Sequence, residues 1–335
     1  MPENDYPLTF DLDAPVVDAA GNMRFGDVIF PRHENPDGIA PEIVEEQDGR
    51  FVRLRVKTGH FVPEPPPKDD GRYDRCELRE GKRLKLGAKV FYGFSLRAAR
   101  NFPSVPLRCV VAQVKMPFGE SKYPSPVFSL RIDDGRYLAT VEHYFDRRDA
   151  GGDIQITAAA PDGSCAAGFA PATDHHNFDP AKTDLDDQVR IVMATDGGML
   201  QQHLKGPDGF SKCSNGVRLE GAGFLPDCIF GWTDFVVHVA VSGKADNADG
   251  VVALYVNGEC VASAHGEFGV PDADGNTKQY LKVGPYRNDD GKWDPALAVG
   301  IEVRGISRGS RPEDVGLAPD VLVALAALAA RTGEA

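Results

Sequence analysis

The chain has 335 residues, 42% of them hydrophobic, with 36 glycines and 25 prolines. That composition lies far from a disordered chain's and suits many short strands joined by tight turns. A formal charge of −13 argues against a nucleic-acid binder, which must neutralise phosphates, and no apolar run is long enough to span a bilayer.

The start, Met1-Pro2-Glu3-Asn4-Asp5, is acidic and lacks the charged-then-apolar pattern of a signal peptide. The expectation is a cytoplasmic protein, or a secreted or periplasmic one if a leader precedes this sequence. No repeat of fixed period is visible. The run Pro63-Glu64-Pro65-Pro66-Pro67 stiffens a loop rather than linking two halves. A single unit over residues 1–335 is expected, with its core over about 50–315.

In chain order, strand-like runs fall at Phe51–Val56, Arg75–Arg79, Lys89–Leu96, Arg108–Lys115, Val127–Ile132 and Tyr137–Tyr144. They continue at Gln188–Met193, Phe235–Val241, Val251–Val256, Glu259–Ala264, Tyr280–Val283 and Ala298–Ile306. Turn residues bound most of them. Asn257-Gly258 is the strongest hairpin signal, because a two-residue turn of that type wants both residues at positive φ. Helical periodicity is confined to Pro319–Ala330, which reads as a short C-terminal helix within 316–335. These elements predict an all-β fold, a β-jelly-roll sandwich of two packed sheets whose concave face forms a cleft.

Side chains two apart in a strand share a face. Arg75, Glu77 and Arg79 therefore point one way, with Cys76 and Leu78 behind. Gln113 and Lys115 share a face after the apolar run Cys109-Val110-Val111-Ala112. Tyr280 and Lys282 share a face, backed by Leu281 and Val283, and Gly284-Pro285 bends the chain so that Tyr286 stays beside them. Each segment has a polar front and an apolar back. From Gly71 to Arg108 there are ten basic and three acidic side chains, a net of +7. Either these form a basic cleft on an acidic body, which attracts a polyanion, or they cover the outside of a sheet.

The three segments resemble the signature segments of jelly-roll, concanavalin A-like polysaccharide lyases. In alginate lyases these run roughly Arg-x-Glu-Leu, Gln-x-His and Tyr-x-Lys-x-Gly-x-Tyr; the heparin lyase and glucuronan lyase group has related patterns. Lys115 stands where the alginate lyases have histidine. Trp232-Thr233-Asp234, the strand and turn Val252–Gly258, Gly266-Glu267-Phe268-Gly269 and Ile306-Ser307-Arg308-Gly309-Ser310 resemble further parts of that group. The likeness covers roughly residues 50–315.

The resemblance implies β-elimination on a uronic-acid-containing polysaccharide. A base removes the C5 proton beside the carboxylate, and the C4 oxygen leaves. The carboxylate must be neutralised to stabilise the enolate-like intermediate, for which Arg75 and Gln113 are suited, assisted by Arg79. The resemblance assigns catalytic importance to Lys282 and Tyr286. A free phenol or ammonium titrates at about 10, so a cation beside the phenol would help it lose its proton. Tyr286, Lys115 and His143 remain alternatives for the base. Glu77 orients Arg75 and Arg79 by ion pairing.

Beyond these, Tyr280, Arg131, Arg287 and Trp293 are candidate substrate contacts, Arg287 for a distal carboxylate and Trp293 as a stacking platform. Trp232 reads as core. Asp174-His175-His176-Asn177 lacks ligand spacing for a metal, because adjacent side chains diverge. No metal or cofactor is expected; acidic loops leave room for structural calcium, but no ligand set is legible. The six cysteines show no Cys-x-x-Cys and read as buried free thiols, Cys76 and Cys109 on apolar faces. The expected partner is an anionic polysaccharide, with no nucleic acid and no membrane. Two other functions fit the same scaffold. One is a non-catalytic carbohydrate-binding module. The other is a glycoside hydrolase, which needs paired carboxylates; no Glu-x-Asp-x-x-Glu strand supplies them.

Overall fold

The computed structural model describes residues 7–31, 39–57, 61–63, 72–85, 89–99, 102, 109–115, 126–133, 135–146, 155–160, 164–174, 186–196, 212–221, 224–228, 231–241, 250–266, 268, 278–289 and 298–319. Trp293, His175, His176 and the expected helix beyond residue 319 lie outside these.

The described residues form two large antiparallel sheets and one 3-10 turn at Pro312–Val315. In chain order the first strands are β1 (Val16–Val17), β2 (Met23–Phe25), β3 (Val28–Phe30), β4 (Glu42–Glu46), β5 (Gly49–Lys57), β6 (Phe61–Pro63), β7 (Arg72–Arg75), β8 (Leu78–Glu80) and β9 (Leu84–Lys85). Then come β10 (Val90–Ala98), β11 (Cys109–Lys115), β12 (Phe128–Asp133), β13 (Arg136–Asp146), β14 (Ile156–Ala158), β15 (Ala170–Asp174) and β16 (Asp186–Thr195). The last are β17 (Lys212–Ser214), β18 (Val217–Glu220), β19 (Thr233–Ala240), β20 (Gly250–Val256), β21 (Glu259–Gly266), β22 (Lys278–Asp289) and β23 (Ala298–Gly309).

The first sheet runs β1-β2-β3-β8-β22-β11-β12-β13-β16-β15-β17-β14, with β7 and β9 also pairing β22. The second runs β18-β21-β20-β19-β10-β23-β5-β4. This is a β-jelly roll. Alternation decides which side chains fill it: Val52, Leu54, Tyr92, Phe94, Phe235, Val237 and Leu254 from one sheet meet Leu78, Val114, Phe128, Leu130, Val141 and Leu281 from the other in one core. Burying side chains of this size contributes roughly 1.5–3 kcal/mol each. The β20–β21 hairpin turns through Asn257 at φ 50° and Gly258 at φ 89°, as an Asn-Gly turn demands.

Four expectations change. Arg75–Arg79 is not one strand but β7 and β8, interrupted at Cys76 and Glu77. The cysteines are not all free: Cys165 and Cys213, 48 residues apart, form a disulfide, because β17 pairs with both β14 and β15 and so meets the turn before β15. Trp232 lies outside the main core. It packs at the ring of Phe51 (5.4 Å between centroids) beneath Arg97 and Arg304 on the outer side of the second sheet. The basic stretch is also divided: Arg75, Arg79 and Arg83 belong to the first sheet, whereas Arg97 in β10 is paired with Glu302 and Asp48 on the second.

Candidate active site

The site is built on the middle of β22. Leu281 and Val283 enter the core, so Tyr280 and Lys282 take the opposite face. There Tyr280 lies opposite Lys115, and Lys282 opposite Gln113 of β11 and Arg79 of β8. Gly284 and Pro285 then face the single residue Val111, a bulge that re-aims the strand. Gly284 has φ +148°, and a Cβ there would stand 2.2 Å from the Cys76 carbonyl oxygen. Only glycine permits that approach. The break between β7 and β8 and the bulge in β22 therefore face each other, tied by a hydrogen bond from the Cys76 amide to the Pro285 carbonyl (2.9 Å).

Beyond the bulge Tyr286 lies opposite Val110 and Arg75. The Arg75 guanidinium carbon sits 4.4 Å from the centroid of the Tyr286 ring, within cation–π range.

Glu77 is the hub. Its carboxylate is 2% exposed, forms an ion pair with Arg75, whose Nε lies 3.0 Å away, and accepts from Lys282 Nζ at 3.4 Å. The Gln113 amide donates to its other oxygen. A buried carboxylate is tolerable only with such partners, and in exchange it gathers two donors and one ion-paired guanidinium at one point. Gln113 and Lys282, 2% and 3% exposed, are thus sunk into the face rather than waving in solvent.

Arg131, in β12 opposite Val110, shares this face about 10 Å from Tyr286 by strand spacing. It is 2% exposed and donates to Thr140, with the Glu142 carboxylate at 3.7 Å. Glu142 also accepts from Arg190 Nε at 2.7 Å. Arg131 is therefore packed into a strand-to-strand network.

Arg287 is a correction. Alternation turns it away from Tyr286, opposite Cys109, and it is 1% exposed. It is enclosed on the side of β22 opposite Tyr286. His143 lies in β13 opposite Val189, and its side chain is outside the described ones. Among the described residues no three His, Cys, Asp or Glu side chains gather as metal ligands.

Two features were missed. Arg83 lies over Tyr280, its guanidinium carbon 4.8 Å from the ring centroid. Glu80, behind the face, is ion-paired with Arg308 of the second sheet and accepts the Leu281 amide at 2.5 Å. No signal in the local sequence marks either, because the partners are brought by β9 pairing with β22 and by the stacking of the two sheets.

A polar face with clustered cations on a jelly roll coincides with a family match. The description "Polysaccharide lyase" fits residues 46–304. The chain belongs to the polysaccharide lyase family. It is therefore an enzyme of the polysaccharide lyase type. The match spans β5 to β23 and includes every strand of the site.

Solved structures similar to this lyase include endo-β-1,4-glucuronan lyase from the fungus Trichoderma reesei, at 12% identity and TM-score 0.50, covering 93% of this chain and 98% of that one. Alginate lyase A1-II' is similar at 14% identity and TM-score 0.43, covering 90% of this chain and 93% of that one. An alginate lyase from Pseudomonas aeruginosa is similar at 14% identity and TM-score 0.42, covering 90% and 96%. A comparison with curated proteins gave no match.

Proposed function

We propose that this lyase cleaves a uronic-acid-containing polysaccharide by β-elimination at C4–C5 of the uronate. The observation that carries the reading is the Glu77 hub, which gathers Arg75, Lys282 and Gln113 beside Tyr286. An amide nitrogen carries two hydrogens. Glu77 takes one from Gln113, and the other is offered to the substrate carboxylate together with Arg75. Neutralising that carboxylate lets negative charge build on it as C5 loses its proton.

Tyr286 is the proposed base and acid. The positive guanidinium against its ring favours negative charge on its oxygen. That oxygen takes the C5 proton, the C5–H electrons form the C4–C5 double bond, and the C4–O bond breaks. The departing oxygen takes the proton back from the phenol, so the enzyme returns unchanged. This scheme needs no histidine at position 115; Lys115 lies opposite Tyr280, at the far end of the face from Tyr286.

Glucuronan is the first polymer to try, since the structure from the fungus carries that name, with alginate and a glycosaminoglycan beside it. Incubation should release a product with the ultraviolet absorbance of a conjugated uronate. Reducing ends without that absorbance would mean hydrolysis, and binding without either would mean a carbohydrate-binding role. We also infer work in an oxidising compartment outside the cytoplasm, because the Cys165–Cys213 disulfide persists where thiols are not kept reduced. A thiol titration of the protein from its native source that finds six free thiols would overturn this.

A further inference from the structure

We propose that Arg83, held over Tyr280, is a second carboxylate-binding site, one that takes the uronate of a sugar unit other than the reacting one. This rests on the elimination reading above and extends it to a preference for runs of uronic acid.

The face carries the same device twice. Arg75 stacks on Tyr286 and Arg83 stacks on Tyr280, both tyrosines on β22 and both on the side away from the core. Their surroundings differ. Arg75 is engaged by Glu77, while among the described residues no carboxylate pairs with Arg83. Arg83 is exposed, whereas the ring beneath it is 7% exposed. A guanidinium resting on a fixed ring loses little freedom when it binds, and its planar fork matches a carboxylate. Lys115, opposite Tyr280, adds positive charge to the same end.

The two stacks are too far apart to serve one carboxylate. From Tyr280 to Lys282 is two residues. From Lys282 to Tyr286, measured on β12 from Ser129 to Arg131, is two more. At a rise of about 3.3 Å per residue the separation is about 13 Å, longer than one pyranose ring. A chain whose reacting uronate lies at Arg75 and Gln113 would reach Arg83 only with a different sugar. A neutral sugar there would leave the guanidinium without its partner, so the cleft would favour consecutive uronates.

The test compares wild type with Arg83→Ala and Arg83→Lys on glucuronan, on its disaccharide to hexasaccharide series, and on carboxyl-reduced glucuronan. Arg83 is exposed, so the fold should tolerate both changes. Arg83→Ala should raise KM for glucuronan about tenfold, the worth of one charge-assisted hydrogen bond, with kcat little changed. The penalty should be absent for the shortest oligomers and appear with length, and Arg83→Lys should recover part of it. An unchanged KM on the polymer, or an equal penalty on the shortest cleaved oligomer, would overturn the proposal while leaving elimination intact. If wild type forms no unsaturated product, the elimination reading fails, and calorimetric binding of glucuronan decides the site. Binding weakened by Arg83→Ala supports it; unchanged binding, or no binding by wild type, overturns it.

Discussion

Glu80 of β8 and Arg308 of β23 form an ion pair between the two sheets, their side chains 1% and 0% exposed. The other Glu80 oxygen accepts the amide of Leu281, next to Lys282. Arg308 also donates to the Lys82 carbonyl at 2.7 Å. The pair therefore anchors the back of the strand whose front carries Tyr280 and Lys282. Removing one member of a buried pair strands the other charge. Arg308→Met should cost roughly 3–5 kcal/mol in urea unfolding. Adding Glu80→Leu should recover much of that, and no recovery would mean the pair is not the cause.

Tyr286→Phe keeps the ring under Arg75 and deletes only the phenolic oxygen. If that oxygen carries the proton, kcat should fall by about a hundredfold or more, with KM and thermal stability nearly unchanged. Activity retained in full would remove Tyr286 from the mechanism.

Glu77→Gln removes the charge that balances Arg75 and Lys282. The cations would repel each other and lose their alignment, so kcat should fall at least tenfold by misplacement of the clamp. Glu77→Asp retains the charge with a shorter reach and should lie between the two. Equal losses in both variants would argue that reach, not charge, matters.

His238 of β19 stacks on Phe91 at 4.3 Å, and neither ring nitrogen has a hydrogen-bond partner among the described residues. Burial, helped by nearby Lys89, pushes the imidazole down from its usual 6.5 to about 4. The folded state thus favours the neutral ring, and the unfolded chain takes up protons first. The stabilisation is present above pH 6.5 and is lost as the pH falls from there towards 4. His238→Phe should show a smaller drop in Tm across that window, with its Tm above pH 7 little changed. An identical slope would show that other groups set the acid sensitivity.

The disulfide between Cys165 and Cys213 closes a 48-residue separation around the edge strands β14, β15 and β17. Such a bridge is worth about 2–4 kcal/mol. Reduction should lower Tm, and Cys213→Ser should reproduce the shift and make the variant insensitive to reductant. Cys76, Cys109, Cys228 and Cys260 are free thiols, so among the described residues reductant has no other bridge to open.

The strand faces were legible because alternation is a local rule. Cys76, Leu78, Val114, Leu281 and Val283 enter the core, and the polar residues between them turn away, as the pattern predicts. The Asn257-Gly258 turn was legible for the same reason, since its backbone angles follow from two adjacent residues. Arg287 shows the cost of setting that rule aside: as the residue after Tyr286 it had to point the other way.

What was not legible depends on pairs distant in the chain. The signature segments and their order determined the family, the jelly roll and the candidate residues Arg75, Glu77, Gln113, Lys282 and Tyr286. Only the assembled sheets decided that Glu77 binds three of them at once, that Arg83 lies on Tyr280, that Glu80 meets Arg308, and that Cys165 meets Cys213. The physical reason is that periodicity reports which face a side chain takes, whereas contact across strands depends on register and bulges. Those are set by long-range pairing such as the Gly284-Pro285 bulge against Val111.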